Sequence, residues 1–289
     1  LLENFEFNSI SGGYFFWLKS KYDSEKVLPG AKINKISFNH GKKFSNNDGF
    51  KDYLQINFNS YSYDIIKHGI DRLKLTFSDY NKTKVAIMGN GKMSNMIKQQ
   101  IVEEYSDKYL IKSVIKKGDL VNDDMKHILE NIDIFIDFSS KDGTIELINY
   151  LKKHHICKPI LSGTTGHDEK STLVMKDYSK NQNIMNINNF SKTLPVIKNI
   201  VGIVNKLPES WKIKLVENNN SNEQISETTK IINSAISRDA EIEIVNNEIN
   251  SHEIICSDGA EIIKLSYQTI NSTAFAKGCI EMIPELQKK

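Results

Sequence analysis

From Lys84 onward the chain alternates short apolar runs with helix-length stretches, and this alternation restricts the possible fold more than any other feature. Val85-Ala86-Ile87-Met88 reads as a strand, followed by a glycine turn and a helix from Met93 to Tyr105. Further strands are expected at Leu110 to Ile115, Ile132 to Phe138, Pro159 to Leu161 and Ile184 to Ile187. Helices at Asp123 to Glu130, Gly143 to His154 and Glu169 to Lys180 separate them. Strands joined through covering helices pair in parallel, so the fold class is α/β with a Rossmann-type parallel sheet over residues 83–191. After Ser191 the pattern shifts to a helix at Leu194 to Lys206, then strands at Ile213 to Glu217, Glu241 to Val245, Glu253 to Ser257 and Glu261 to Gln268. Residues 192–274 thus read as a second, α+β domain with mostly antiparallel strands, and residues 275–289 as a C-terminal helix.

Residues 1–82 differ in character, being rich in aromatics and asparagine with turn signals at Gly12-Gly13, Pro29-Gly30 and Asn46-Asn47-Asp48-Gly49. Tyr53 to Phe58 and Leu73 to Phe77 alternate at period two and suggest short half-buried strands. The segment is expected to be a loop-rich extension, an appended subdomain or wrapping arm, and carries no recognisable chemical constellation.

Composition excludes several function classes. The 289 residues are 39% apolar and 26% charged, and no run approaches the eighteen or so apolar residues of a membrane span. The 38 bases against 36 acids give a net charge of +2, without a basic stripe interleaved with aromatics, so neither nucleic acid nor membrane is an expected partner. Only two bases are arginine, Arg72 and Arg238, while lysine, asparagine and isoleucine abound. Lysine pairs and asparagine runs are therefore weak signals in this chain. Cys157, Cys256 and Cys279 are odd in number and lack metal-ligand spacing, which implies reduced thiols, no metal and an intracellular, reducing compartment. The chain starts at Leu1, so cytoplasm, or a plastid-like organelle after loss of a transit segment, is the expected location.

Gly89-Asn90-Gly91-Lys92-Met93-Ser94 lies between a strand and a helix, where backbone amides and the helix dipole favour a pyrophosphate. Gly89 permits the tight turn and Gly91 a close approach to phosphate; Ser94 stands at the third glycine position. Taken alone, two glycines equally describe a plain structural turn. The second strand ends Val114-Ile115-Lys116-Lys117-Gly118, with bases and no acid where a Rossmann site chooses between a ribose hydroxyl and a 2′-phosphate. NADPH is therefore preferred over NADH if either binds; a solvated lysine pair is the alternative.

Ile136-Asp137-Phe138-Ser139, then Gly143-Thr144, Ser162-Gly163-Thr164-Thr165-Gly166 and Asn189-Phe190-Ser191, resemble in order and spacing the cofactor half of the dihydrodipicolinate reductases. Near the C-terminus, Phe275-Ala276-Lys277-Gly278 is similar to that family's helix opening. The resemblance assigns Phe138 and Ser139 to lie along the cofactor, and Gly163, Thr164 and Thr165 to hold its nicotinamide end. It also implies that the last helix returns to the first domain and that second-domain sheets pair into a homotetramer or dimer. For that interface, the alternating Ile242, Ile244, Ile254, Ile262 and Leu265 are candidates, although they would equally serve a monomer core.

The family's reduction of a cyclic dicarboxylate draws its proton donor, its cation and its carboxylate-binding amides from one segment, Glu-x-His-His, a lysine and a Ser-Gly-Thr turn. Here Glu217 aligns, but Asn219 and Asn220 occupy the histidine pair, Glu223 the lysine, and Ser226-Glu227-Thr228 the turn. Asparagine does not titrate, and losing a general acid costs roughly 10²–10⁴-fold. A carboxylate in place of the lysine repels a dianion, and Glu227 in place of glycine is expected to crowd the turn. His252 and His167 are the remaining candidates for a catalytic histidine, and structural roles suit both. The expectation is a family-like protein unable to perform the family's reaction. The alternative is an active NADPH-dependent reductase of this or another small molecule.

Overall fold

The computed structural model describes residues 5–7, 12–219, 225–246 and 250–287. They form two compact units, divided between Lys82 and Thr83.

The first unit is a four-stranded antiparallel sheet in the order β1 (Phe5–Glu6), β2 (Phe15–Ser20), β4 (Tyr53–Asn57), β3 (Asn39–His40). Two helices accompany it, α1 (Ser24–Ile33) and α2 (Tyr63–Tyr80). Leu18 and Leu54 face Val27, Ala31, Leu73 and Phe77 in a closed core. The strand expected at Leu73 to Phe77 is instead the middle of α2. Leu73, Thr76 and Phe77 are buried at helical spacing, while Leu75, which completed the apparent alternation, is 49% exposed.

The second unit opens with a five-stranded parallel sheet. Its strands are β5 (Thr83–Met88), β6 (Tyr109–Ile115), β7 (Ile134–Asp137), β8 (Ile160–Ser162) and β9 (Ile184–Asn186), in spatial order β6-β5-β7-β8-β9. The helices α3 (Lys92–Glu104), α4 (Lys126–Glu130), α5 (Lys141–Lys153) and α6 (Glu169–Ser179) connect them. Every residue of β7 is buried, because layers pack on both sheet faces. One layer joins Leu129, Leu147, Ile148 and Leu151 to Ala86 and Phe135; the other joins Ile97 and Ile101 to Val85, Ile87 and Ile136. The strand order reverses between β5 and β7. In open α/β sheets, ligands bind outside the carboxyl ends of the strands at that point.

After α7 (Leu194–Val204), a second sheet forms in the order β11 (Ala240–Asn246), β10 (Lys212–Asn219), β12 (Ser251–Ser257), β13 (Ile262–Gln268). β10 and β11 are parallel and the other pairs antiparallel. One face packs on α7 and α8 (Glu227–Ala235) through Ile213, Leu215, Ile232, Ile254 and Cys256. Ile242 and Leu265 join this core, and Ile254 lies in it, so the alternating isoleucines largely serve the interior of a single chain. The opposite face carries Lys214 paired with Glu243 at 2.8 Å and Glu241 at 3.4 Å, and Ile262 is exposed. α9 (Thr273–Gln287) then returns to the parallel sheet, burying Ala276, Cys279, Ile280 and Ile283 against the layer that holds Ile97 and Ile136. Gly278 lets this helix pass the Phe190 backbone, since a Cβ there would lie 1.8 Å from the Phe190 carbonyl oxygen.

Candidate active site

Three turns meet at the carboxyl ends of β5, β7 and β8. The first turns on Gly89, whose φ of +113° favours glycine, and a Cβ there would fall 2.4 Å from the Phe138 carbonyl oxygen. Its amide donates to the Ile115 carbonyl at 2.9 Å, setting the glycine turn beside the end of β6. Gly91 is the N-cap of α3 and supplies no capping side chain, so the first helical amides keep their donors for an incoming acceptor. The space beside Gly91 is open, and a Cβ there would meet no described atom within 4 Å. Lys92 is exposed at the first helical position, while Met93 packs against the core.

A single carboxylate ties the second and third turns together. Asp137 is fully buried and accepts from Ser139 Oγ at 2.5 Å, Ser139 N at 3.1 Å, Thr144 Oγ1 at 2.5 Å, Ser162 Oγ at 3.1 Å and Thr164 Oγ1 at 3.2 Å. Thr164 Oγ1 also accepts from Ser139 N at 3.2 Å. These contacts satisfy the oxygens of a side chain that would be costly to bury without partners. The motif was legible in the sequence, but the part played by Asp137 was not. The signal was an acid ending the apolar run Ile134-Phe135-Ile136, with Ser and Thr at 139, 144, 162 and 164.

Gly163 allows Phe138 to lie across the third turn, since a Cβ would meet Phe138 Cε1 at 2.2 Å. Phe138 then packs on Phe190, ring centroids 5.5 Å apart. Thr165 is exposed at the turn's outer edge. His167 follows Gly166, and both its ring nitrogens are buried without a hydrogen-bond partner among the described residues. Lys116 and Lys117 are exposed beyond β6, and the neighbouring acid, Asp119, is occupied in accepting from the Lys116 amide at 2.8 Å.

Across from these turns, the second sheet presents a row of cross-strand neighbours: Glu217 opposite His252, and His252 opposite Tyr267. Glu217 is buried and accepts from Asn219 Nδ2 at 2.6 Å and Ser226 N at 3.0 Å. Burial raises its carboxyl pKa, but hydrogen bonds from Thr229, Ser226 and Asn219 outweigh this and hold it below its ordinary value. His252 Nε2 lies 3.3 Å from Ser226 Oγ, and burial pushes the imidazole below its usual range despite the opposing pull of Glu217. The Tyr267 hydroxyl reaches Ser191 Oγ at 2.8 Å, and Asn189 Nδ2 donates to Thr228 Oγ1 at 3.0 Å, so the Asn189-Phe190-Ser191 connection is tied to both β13 and α8.

Between the two sides lies a cleft of about 550 Å³. Lys92, Met96 and Phe275 line it on the cofactor side; Glu217, Asn218, Asn219, Ser226, Thr228 and His252 line it on the other. Ser226 and Thr228 are part of this lining. Glu227 does not crowd it, being the first residue of α8 and paired instead with Lys230 at 2.7 Å. Asn220 and Glu223 lie outside the described residues. His167 is absent from the described lining, whereas His252 belongs to it. The loop after β13 adds Thr269, Ile270, Asn271 and Ser272, and Asn250 adds an amide ahead of β12; sequence motifs had not marked these positions. Among the described residues no group of histidine, cysteine and acidic side chains could hold a metal ion, and no helix is long and apolar enough to cross a membrane.

Residues 83–190 match the family described as dihydrodipicolinate reductase, N-terminus. A 4-hydroxy-tetrahydrodipicolinate reductase from Campylobacter hominis is 31% identical over 141 residues, 47% of this chain and 54% of that protein. One from Rickettsia akari is 26% identical over 221 residues, 69% of this chain and 88% of that protein. The match thus spans about half the length of the Campylobacter hominis relative, and 38% of a second from Campylobacter fetus. Among solved structures, dipicolinate-bound dihydrodipicolinate reductase from Paenisporosarcina sp. TG-14 superposes with a TM-score of 0.54 at 13% identity. That superposition covers 72% of this chain and 95% of that one, a likeness of fold.

Proposed function

This chain belongs to the dihydrodipicolinate reductase family, and from that premise we propose that it binds a nicotinamide dinucleotide but does not carry out the family's reduction. The observation that carries the reading is the contrast at Glu217 and Asn219. Asn219 stands where the family motif has a histidine, and its amide is bonded to the Glu217 carboxylate at 2.6 Å. No proton for a reduced product can come from that amide at neutral pH.

The cofactor side suits a dinucleotide on its own evidence. The α3 N-terminus has an uncapped first turn beside open space at Gly91, suited to a pyrophosphate. Phe138, Ser139, Gly163, Thr164 and Thr165 form the turns that would meet the nicotinamide end. Lys116 and Lys117 favour NADPH over NADH through a 2′-phosphate. When bound, the cofactor would supply a hydride. Ser226, Thr228 and His252 would then contact the second ligand.

The test is spectroscopic. Purified protein should quench or enhance NADPH fluorescence on binding, yet show no dihydrodipicolinate-dependent loss of NADPH absorbance. Turnover at a rate typical of enzymes would defeat the reading and point to His252, the histidine of the cleft lining. Self-association through the open face of the second sheet belongs to the same proposal. Exposed Ile262 on its β13 edge supports it, and light scattering at high concentration tests it.

A further inference from the structure

The side of the cleft formed by the second sheet and its flanking loops is rich in amides and hydroxyls. Asn218, Asn219, Asn250 and Asn271 line it together with Ser226 and Thr228. The cation in the described lining, Lys92, belongs to the first turn of α3, where the pyrophosphate of a dinucleotide would take it up. Facing it is Glu217, whose hydrogen bonds keep it ionised at neutral pH. The sequence from Glu217 to Thr229 contains three acids, Glu217, Glu223 and Glu227, and no lysine, arginine or histidine. A dianionic ligand would therefore enter a partly desolvated site against a fixed negative charge, and with no cation offered by the described residues of this wall. Amides and hydroxyls both donate and accept, which suits a ligand that presents both kinds of group without net charge.

Resting on the cofactor reading above, we propose that this cleft takes a neutral ligand rich in hydroxyl or amide groups, in place of a dicarboxylate. Asn218 and Asn250 add uncharged donors and acceptors to this wall, Asn218 donating to Ser251 Oγ at 3.0 Å. His252, held neutral by burial, adds one more uncharged hydrogen-bonding group through Nε2 beside Ser226.

Dipicolinate and dipicolinamide share a ring and a shape and differ in charge, which makes them a direct probe. Calorimetric titration of the full chain, with and without NADPH, should show the diamide binding at least about tenfold tighter than the dianion. Asn218→Lys should reverse that order, with NADPH affinity and melting temperature measured alongside to separate a change of ligand class from a loss of folding. Dipicolinate bound as tightly as the diamide by wild-type protein would overturn the proposal, as would absence of diamide binding in both states. If NADPH fails to bind but the diamide is still preferred, the cofactor reading falls and the ligand class stands.

Discussion

The two walls of the cleft solve opposite problems. The cofactor wall is made from backbone: turns at Gly89 and Gly163 that exclude any side chain, an uncapped helix start at Gly91, and a buried aspartate gathering five donor contacts. The opposite wall is made from side chains on a sheet and its flanking loops, Glu217, Asn218, Asn219, Ser226 and His252 among them. Backbone recognition restricts sequence because geometry itself is the contact. Side-chain recognition restricts it only while the ligand stays the same.

The sharpest way to break this contrast is at the first turn. Gly89→Ala places a Cβ at positive φ and 2.4 Å from the Phe138 carbonyl. It should cost about 2–5 kcal/mol of stability and abolish NADPH binding, read by thermal melting and titration. Asn219→Ala on the other wall should leave NADPH affinity unchanged, and equal damage from both would erase the distinction. Next in size, Asp137→Asn replaces one acceptor oxygen of the hydroxyl cluster with a donor. A loss of about 2–3 kcal/mol is expected, with weaker NADPH binding measured alongside the melt.

Changing Lys116 and Lys117 together to alanine should weaken NADPH by about 1–3 kcal/mol and NADH far less. An equal loss for both cofactors would mean that the pair is merely solvated. The smallest effect is the pH dependence of the opposite wall. His252 is held below its ordinary 6.5, so the unfolded chain takes up a proton there that the folded one refuses. Stability should therefore decline as pH falls below about 6.5. Glu217 is held below its ordinary 4.5, so its contribution is present above that pH and is lost as pH falls through the lower folded value. Melting temperatures of His252→Gln across pH 4 to 8 should lack the first decline and keep the second; a curve parallel to wild type would show that His252 is not its source.

Much of the second unit was legible in sequence because its elements obey single periods. Val85 to Met88 and Ile134 to Asp137 are short buried runs, and α5 starts at a capping Ser140 with Leu147, Ile148 and Leu151 on its inner face. The failure at Leu73 to Phe77 came from a window too short to separate period two from period 3.6, since the exposed Leu75 satisfied one and not the other. Site residues followed the same division. Glycine turns announce themselves, whereas Asn250, Thr269, Asn271 and Ser272 reach the cleft only through the pairing of β12 with β13 and the turn into α9. The crowding expected of Glu227 is absent because a position within a turn does not fix a side chain's direction, and the start of α8 aims this one at Lys230.

The clustering of hydroxyls on Asp137 couples distant stretches of the chain through one side chain. Its partners come from three separate stretches, around residues 139, 144 and 162–164, and each serves the same buried oxygen pair. Removing any one of these partners withdraws a donor from a shared acceptor, so the effects of two substitutions among residues 139, 144, 162 and 164 should not simply add. All of these partners lie within residues 83–190, the stretch that matches the family.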